Sequence, residues 1–73
     1  MAERYSFRGC VIDVVTRAFH HDLFNKTYYE IASVVITRDE KQLEYTFSKY
    51  QSRDEAEVYK IALQHAQLFI TTL

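Results

Sequence analysis

The sequence predicts an α+β fold, an antiparallel three-stranded β-meander followed by one C-terminal α-helix packed on the sheet (β-β-β-α). Three observations carry that expectation. The chain from about Tyr5 to Thr37 is dense in Val, Ile, Phe, Tyr and Thr, the residue types that suit a pleated strand. Gln42 to Tyr50 then alternates, with Leu43, Tyr45 and Phe47 on one face and Glu44, Thr46 and Ser48 on the other. From Ser52 onward the apolar residues return at helical spacing, opposite a narrow polar stripe of Arg53, Glu57, Lys60, Gln64, Gln67 and Thr71.

The first strand is expected from about Tyr5 to Phe19. That is long for one strand, and Gly9, the chain's one glycine, marks a bulge or bend. The apolar residues beyond it form two alternative sets, Ile12 with Val14 or Val11 with Val15. His20 to Lys26 reads as a connection, with Asn25 suited to a turn. Thr27 to Thr37 is the second strand. Its alternation is weak, because Tyr29, Ile31 and Val35 share one parity and Tyr28, Ala32, Val34 and Ile36 the other; such a strand is expected to be central and covered on both faces. Arg38 to Lys41 forms a turn, and Gln42 to Tyr50 is the third strand, with one wet face.

Ser52-Arg53-Asp54-Glu55 fits a capping box, with Ser52 as the cap and Glu55 reaching back to it. The helix that follows, from about Arg53 to the chain end, would be near 30 Å long at about 1.5 Å per residue. Its last turn, Thr71 and Thr72, has no cap in the sequence and is expected to fray. Its apolar arc is roughly twice the ~100° that a surface helix buries. Val58, Ala62 and Phe69 face the sheet, and Ile61 and Leu68 lie on a flank that one three-stranded sheet cannot cover. The expected core is Phe7, Val14, Ile31, Leu43, Tyr45, Phe47, Val58, Ala62 and Phe69.

Length and charge narrow the functional classes. Seventy-three residues make one small domain, with a core too small to leave much surplus stability. Nine basic against ten acidic residues give a formal charge of −1, with the signs mixed along the chain, which opposes a strong footprint for nucleic acid or an anionic membrane. Cys10 is the only cysteine, so no intrachain disulfide exists; set in the apolar run CVIDVV, it reads as a small buried hydrophobe. MAERYSFRG lacks the apolar stretch of a signal peptide and no segment reaches membrane-spanning length, so a cytoplasmic protein is the default expectation.

The motif that invites chemistry is Phe19-His20-His21-Asp22-Leu23-Phe24. A metal site needs three or four convergent ligands. Here His20 and His21 would diverge if extended, and His65 lies about forty residues away on the flank of the helix's apolar face, so no metal and no cofactor is expected. No nucleophile motif or glycine-rich phosphate loop is present. The paired carboxylates Asp39-Glu40 and Asp54-Glu55 are accounted for by turn chemistry and the helix dipole. No enzymatic activity is expected.

Two binding readings remain. Arg4, Arg8, Arg17, Lys26 and Lys49 could gather on one face beside Tyr28 and Tyr50 and stack single-stranded nucleic acid. In support, FSKYQSRDEAEVY loosely resembles the strand–turn–helix passage of the small DNA-binding arms of phage-type integrases and of plant AP2 domains, which would imply a sheet laid into the major groove. The resemblance covers roughly a fifth of the chain, and the sheet lacks those families' dense Arg and Lys and their turn glycines.

The preferred expectation is a small protein-binding module, regulator or inhibitor that docks on a larger protein, on a second copy of itself, or on both. A compact accessory protein of a phage or mobile element fits this description. Its contact residues are expected to be Leu23, Phe24, Tyr28, Val34, Ile36, Ile61 and Leu68, the apolar positions left over once the core is assigned. Leu23 and Phe24 decide most, because two apolar residues in a connection must pack somewhere: they either fold back over the helix's uncovered flank or form part of the partner surface.

Overall fold

The computed structural model describes residues 1–73. The meander and the C-terminal helix are present, but the strands divide differently from the sequence expectation. The run from Tyr5 to Phe19 splits into β1 (Ala2–Phe7) and β2 (Cys10–His21), antiparallel, with Phe7 opposite Cys10. The two residues between them have positive φ, Arg8 at 49° and Gly9 at 76°. A two-residue turn of that hand matches the twist of the strands it joins, and glycine enters it without strain.

β3 (Lys26–Arg38) returns antiparallel along the whole of β2. A second turn with two positive φ values, Asp39 at 51° and Glu40 at 63°, leads into the short β4 (Lys41–Gln42), which pairs with the end of β3.

The weak alternation of β3 has one local cause. Val15 faces Ser33 while Thr16 faces Ile31, so Ala32 is an extra residue, a β-bulge. The bulge switches parity. Ile36 and Val34 point at the helix on one side of it, and Ile31 and Tyr29 do so on the other. The strand is therefore covered on one face, not two. Val34 and Ile36, expected on a partner surface, are core residues for this reason.

Gln42 to Tyr50 does not form a third strand. The chain leaves β3 after the Leu43 N–H donates to the Ile36 carbonyl (2.8 Å), and rejoins it as β5 (Gln51–Ser52), with Gln51 opposite Glu30. From Thr37 to Glu30, β3 takes seven steps, whereas the returning chain takes nine from Gln42 to Gln51. With two surplus residues the ladder is not continuous, and Leu43–Tyr50 arches away as a strap. A cleft of about 660 Å3 opens between it and Val34. The alternation read from sequence survives without the ladder: Leu43, Tyr45 and Phe47 pack inward, with the Tyr45 ring 4.8 Å from that of Phe69. The strap thus covers one flank of the helix's over-wide apolar arc.

α1 (Glu55–Thr71) begins two residues later than the capping box implies. Asp54 is the cap, its carboxylate accepting from the Ala56 N–H at 3.0 Å, while the Ser52 hydroxyl accepts from the Asp54 N–H at 3.1 Å. Glu55 does not reach back to Ser52. It accepts instead from the Thr16 hydroxyl of β2 at 3.1 Å, and that hydroxyl lies 3.1 Å from the Tyr59 hydroxyl. Thr16 is 2% exposed, so this chain is the polar tie between sheet and helix. At the far end the Thr71 and Thr72 hydroxyls donate to the Leu68 and Phe69 carbonyls, and the Thr72 and Leu73 amides donate to those of Phe69 and Ile70. The expected fraying is thus countered by donors to the Leu68, Phe69 and Ile70 carbonyls.

The core is one cluster: Cys10, Ile12 and Val14 of β2, Ile31, Val34 and Ile36 of β3, and Val58, Tyr59, Ala62, Ala66 and Ile70 of α1. Of the residues expected there, Val14, Ile31, Val58 and Ala62 are buried, and Phe7, Leu43, Tyr45, Phe47 and Phe69 form its half-buried rim. Cys10 is buried, as its setting implied. No helix is long and apolar enough to cross a membrane.

Candidate functional site

The molecule measures 44 × 19 × 18 Å, with a radius of gyration of 13.2 Å against about 11 Å for a compact chain of this length. Its pairings explain the elongation. β1 ends opposite Val15, with Met1 bonded to Thr16, and β5 ends opposite Tyr29. Beyond those points Phe19–His21 and Lys26–Tyr28 pair only with each other. They form a two-stranded arm carrying the motif FHHDLF at its end.

The connection expected over His20–Lys26 is shorter than that. β2 runs to His21, and only Asp22–Asn25 turn, closed by the Phe24 N–H to the His21 carbonyl (3.2 Å) and the Asn25 N–H to the Asp22 carbonyl (3.3 Å). Asn25 takes the left-handed conformation at φ 50°, which its short polar side chain tolerates. Because His20 and His21 lie on a strand, they point to opposite faces. His20 is exposed. His21 is half-buried among aromatic rings, 4.7 Å from Phe24 and 6.4 Å from Tyr28 between centroids, with its Nδ1 buried and unpartnered. His65 is exposed on α1, not at the core edge. No three His, Cys, Asp or Glu side chains are grouped so as to hold a metal.

Phe19 stacks on Tyr28 directly across the arm, and Phe19, His21, Phe24, Tyr28 and Gln51 line a cleft of about 260 Å3. At the tip Leu23 is 86% exposed and Phe24 61% exposed. They do not fold back over the helix. At the arm's base Arg17 binds Glu30 across the strands (Nε to Oε1, 2.6 Å), and Gln51 donates to the same carboxylate at 3.4 Å. The Arg17 hydrogen bond holds the Glu30 carboxyl below its ordinary value, outweighing the opposing desolvation. Arg17 and Lys26 are balanced along the arm by Asp22 and Glu30, so the tip is apolar without an excess of either sign.

Compared with known proteins, the chain matches no family model, no curated protein and no solved structure.

The expected contact residues separate into three groups. Leu23, Phe24 and Tyr28 come together on the arm. Ile61, half-buried, and Leu68, 66% exposed, share one stripe of α1 with Gln64 between them. Val34 and Ile36 are interior. The basic residues do not gather. Arg4 is bound to Asp13 (2.7 Å) and Arg17 to Glu30, while Arg8 sits over the Phe7 ring in the β1–β2 turn. Lys26 lies at the opposite end of β2, about 36 Å away at roughly 3.3 Å per residue. Lys49 is on the strap.

Sequence reasoning missed Phe19 and His21 as parts of the aromatic cluster. The signal was present: once Asp22–Asn25 is read as a four-residue turn, Phe19 falls opposite Tyr28 and His21 opposite Lys26.

Proposed function

We propose that this chain is a non-enzymatic protein-binding module that docks the end of its β2–β3 arm on a larger protein. The supporting observation is the exposed pair Leu23 and Phe24, held by an aromatic cluster at the end of an arm that contributes nothing to the core. Large apolar side chains placed away from the core cost solubility and add no stability, so their use lies in being covered. Phe24 and Leu23 supply the anchor, the His21–Tyr28 cleft receives a partner side chain, and the balanced charges form the rim.

The nucleic-acid reading draws less support from this geometry. Two of its five basic residues are bound to carboxylates, and two others stand at opposite ends of the sheet.

Capture from a cell lysate, after nuclease treatment, with wild-type protein and with the Leu23→Ser/Phe24→Ser variant as baits, tests the proposal. A protein retained by the wild type and lost with the variant is the expected result. Identical capture by both baits, or recovery that nuclease abolishes, would overturn it.

A further inference from the structure

The outer edge of β1 is open along its whole length. Phe7 pairs with Cys10 across a two-residue turn, and Met1 exchanges bonds with Thr16 (Met1 N to the Thr16 carbonyl, 3.1 Å; Thr16 N to the Met1 carbonyl, 2.9 Å). In an antiparallel ladder this alternation directs the backbone of the odd residues at β2. The N–H and C=O groups of Ala2, Arg4 and Ser6 therefore face outward, on the side where β1 has no neighbouring strand. The opposite edge of the sheet is different, since β4, the strap and β5 cover β3.

Natural sheets guard such edges with outward lysines, prolines or bulges. β1 has none of these. Its two charged side chains are both engaged within the sheet, Arg4 with Asp13 of β2 and Glu3 with the Tyr5 hydroxyl of β1 itself. Half-buried Tyr5 and Phe7 stand along the same edge on the helix face.

We propose that this edge joins two copies of the chain, β1 against β1, antiparallel about a two-fold axis at Tyr5. The symmetry selects the register. Residues directly opposite must lie on the same face of the sheet, so the axis passes through a residue. Centring it on Glu3 opposes two glutamates, and centring it on Arg4 opposes two arginines; like charges directly opposite destabilise a pair of strands. Centring it on Tyr5 opposes neither. Arg4 then exchanges backbone hydrogen bonds with Ser6 of the second copy, Ser6 with Arg4 of the second copy, and Glu3 faces Phe7. Pairing along one six-residue edge is a small contact, so the dimer is expected to be weak and concentration-dependent rather than nanomolar. The pairing stands independently of the arm proposal. If both hold, the two arms extend in opposite directions, with tips about 60 Å apart at roughly 3.3 Å per residue, and one dimer engages two sites with avidity.

Sedimentation equilibrium across about 5–500 µM tests the pairing with the Ser6→Pro variant. Proline removes one outward N–H and leaves the β1–β2 ladder intact, which edge strands tolerate. Wild type is expected to dimerise with rising concentration, and Ser6→Pro to weaken that association about tenfold or more with an unchanged circular dichroism spectrum. Leu23→Ser/Phe24→Ser is expected to dimerise like wild type, which keeps failure of this proposal distinct from failure of the arm. In wild type, hydrogen exchange at the Arg4 and Ser6 amides should slow as concentration rises. A wild type monomeric throughout, or exchange at those two amides independent of concentration, would overturn the pairing even if Ser6→Pro fails to fold.

Discussion

Phe19 and Tyr28 stack across the arm with ring centroids 5.8 Å apart and planes 23° from parallel. They lie opposite each other where β2 and β3 have no third strand beside them. A lone two-stranded hairpin is marginal in water, so cross-strand aromatic contact carries much of the arm's order. Replacing Tyr28 with Ala is expected to loosen the arm without unfolding the domain. Hydrogen exchange should accelerate at Arg17–Lys26 by about tenfold, since such a pair contributes about 0.5–1.5 kcal/mol. Amides of Ile12, Val14 and Val58 should keep their protection.

Thr16 is the polar point of the core, its hydroxyl shared between Glu55 and Tyr59. Thr16→Val keeps the shape and leaves the Tyr59 hydroxyl buried without that partner. An unpaired buried group costs about 1–3 kcal/mol. Urea unfolding should show a loss of that size for Thr16→Val. The double variant Thr16→Val/Tyr59→Phe should recover part of it, because the orphaned hydroxyl is gone.

The β3–β4 turn holds Glu40 at φ 63°, in the left-handed region, without the freedom of glycine. That conformation costs an ordinary residue about 1–2 kcal/mol, and glycine's extra unfolded-state entropy cancels only part of the gain. Glu40→Gly should therefore raise the unfolding free energy by about 0.5–1 kcal/mol, read as a higher urea midpoint at unchanged slope.

Two ionisable groups give opposite pH signatures. Glu30 is held below its ordinary value by Arg17, so the folded state favours its charged form. The stability it contributes is present above the unfolded carboxylate pKa and is lost as pH falls through the lower folded value. Wild type and Glu30→Gln should differ in melting temperature at pH 7 and converge as pH falls through the lowered Glu30 value. Tyr5 is pushed up to about 12, first by burial and then by its hydrogen bond to Glu3. Its contribution is present below about pH 10 and is lost as pH rises toward 12. Tyr5→Phe should flatten the alkaline loss of stability.

The layer order was legible because it rests on composition and period. The polar stripe of α1, the inward set Leu43, Tyr45 and Phe47, and burial of Cys10 all follow from side-chain chemistry alone. What was not legible depends on backbone register. The bulge at Ala32 and the two surplus residues of the strap arise from how distant strands align, and no local pattern records them. Gly9 reads from the sequence as a bulge or bend within one strand, not as a turn, because arginine is an unusual first residue for a two-residue turn. Val34 and Ile36 were misplaced because the bulge exchanged the faces of β3. Leu23 and Phe24 stood out because apolar residues in a turn have no core to enter, and the structure leaves both in solvent.

The most direct test of the arm as the docking element is site-specific photo-crosslinking in cells, with a photo-reactive phenylalanine analogue at Phe24 and, as control, at exposed His65 of α1. The expected result is a discrete heavier adduct from position 24, lost when Leu23 is also changed to Ser, and none from position 65. An adduct of equal yield from both positions, or from position 65 alone, would contradict it.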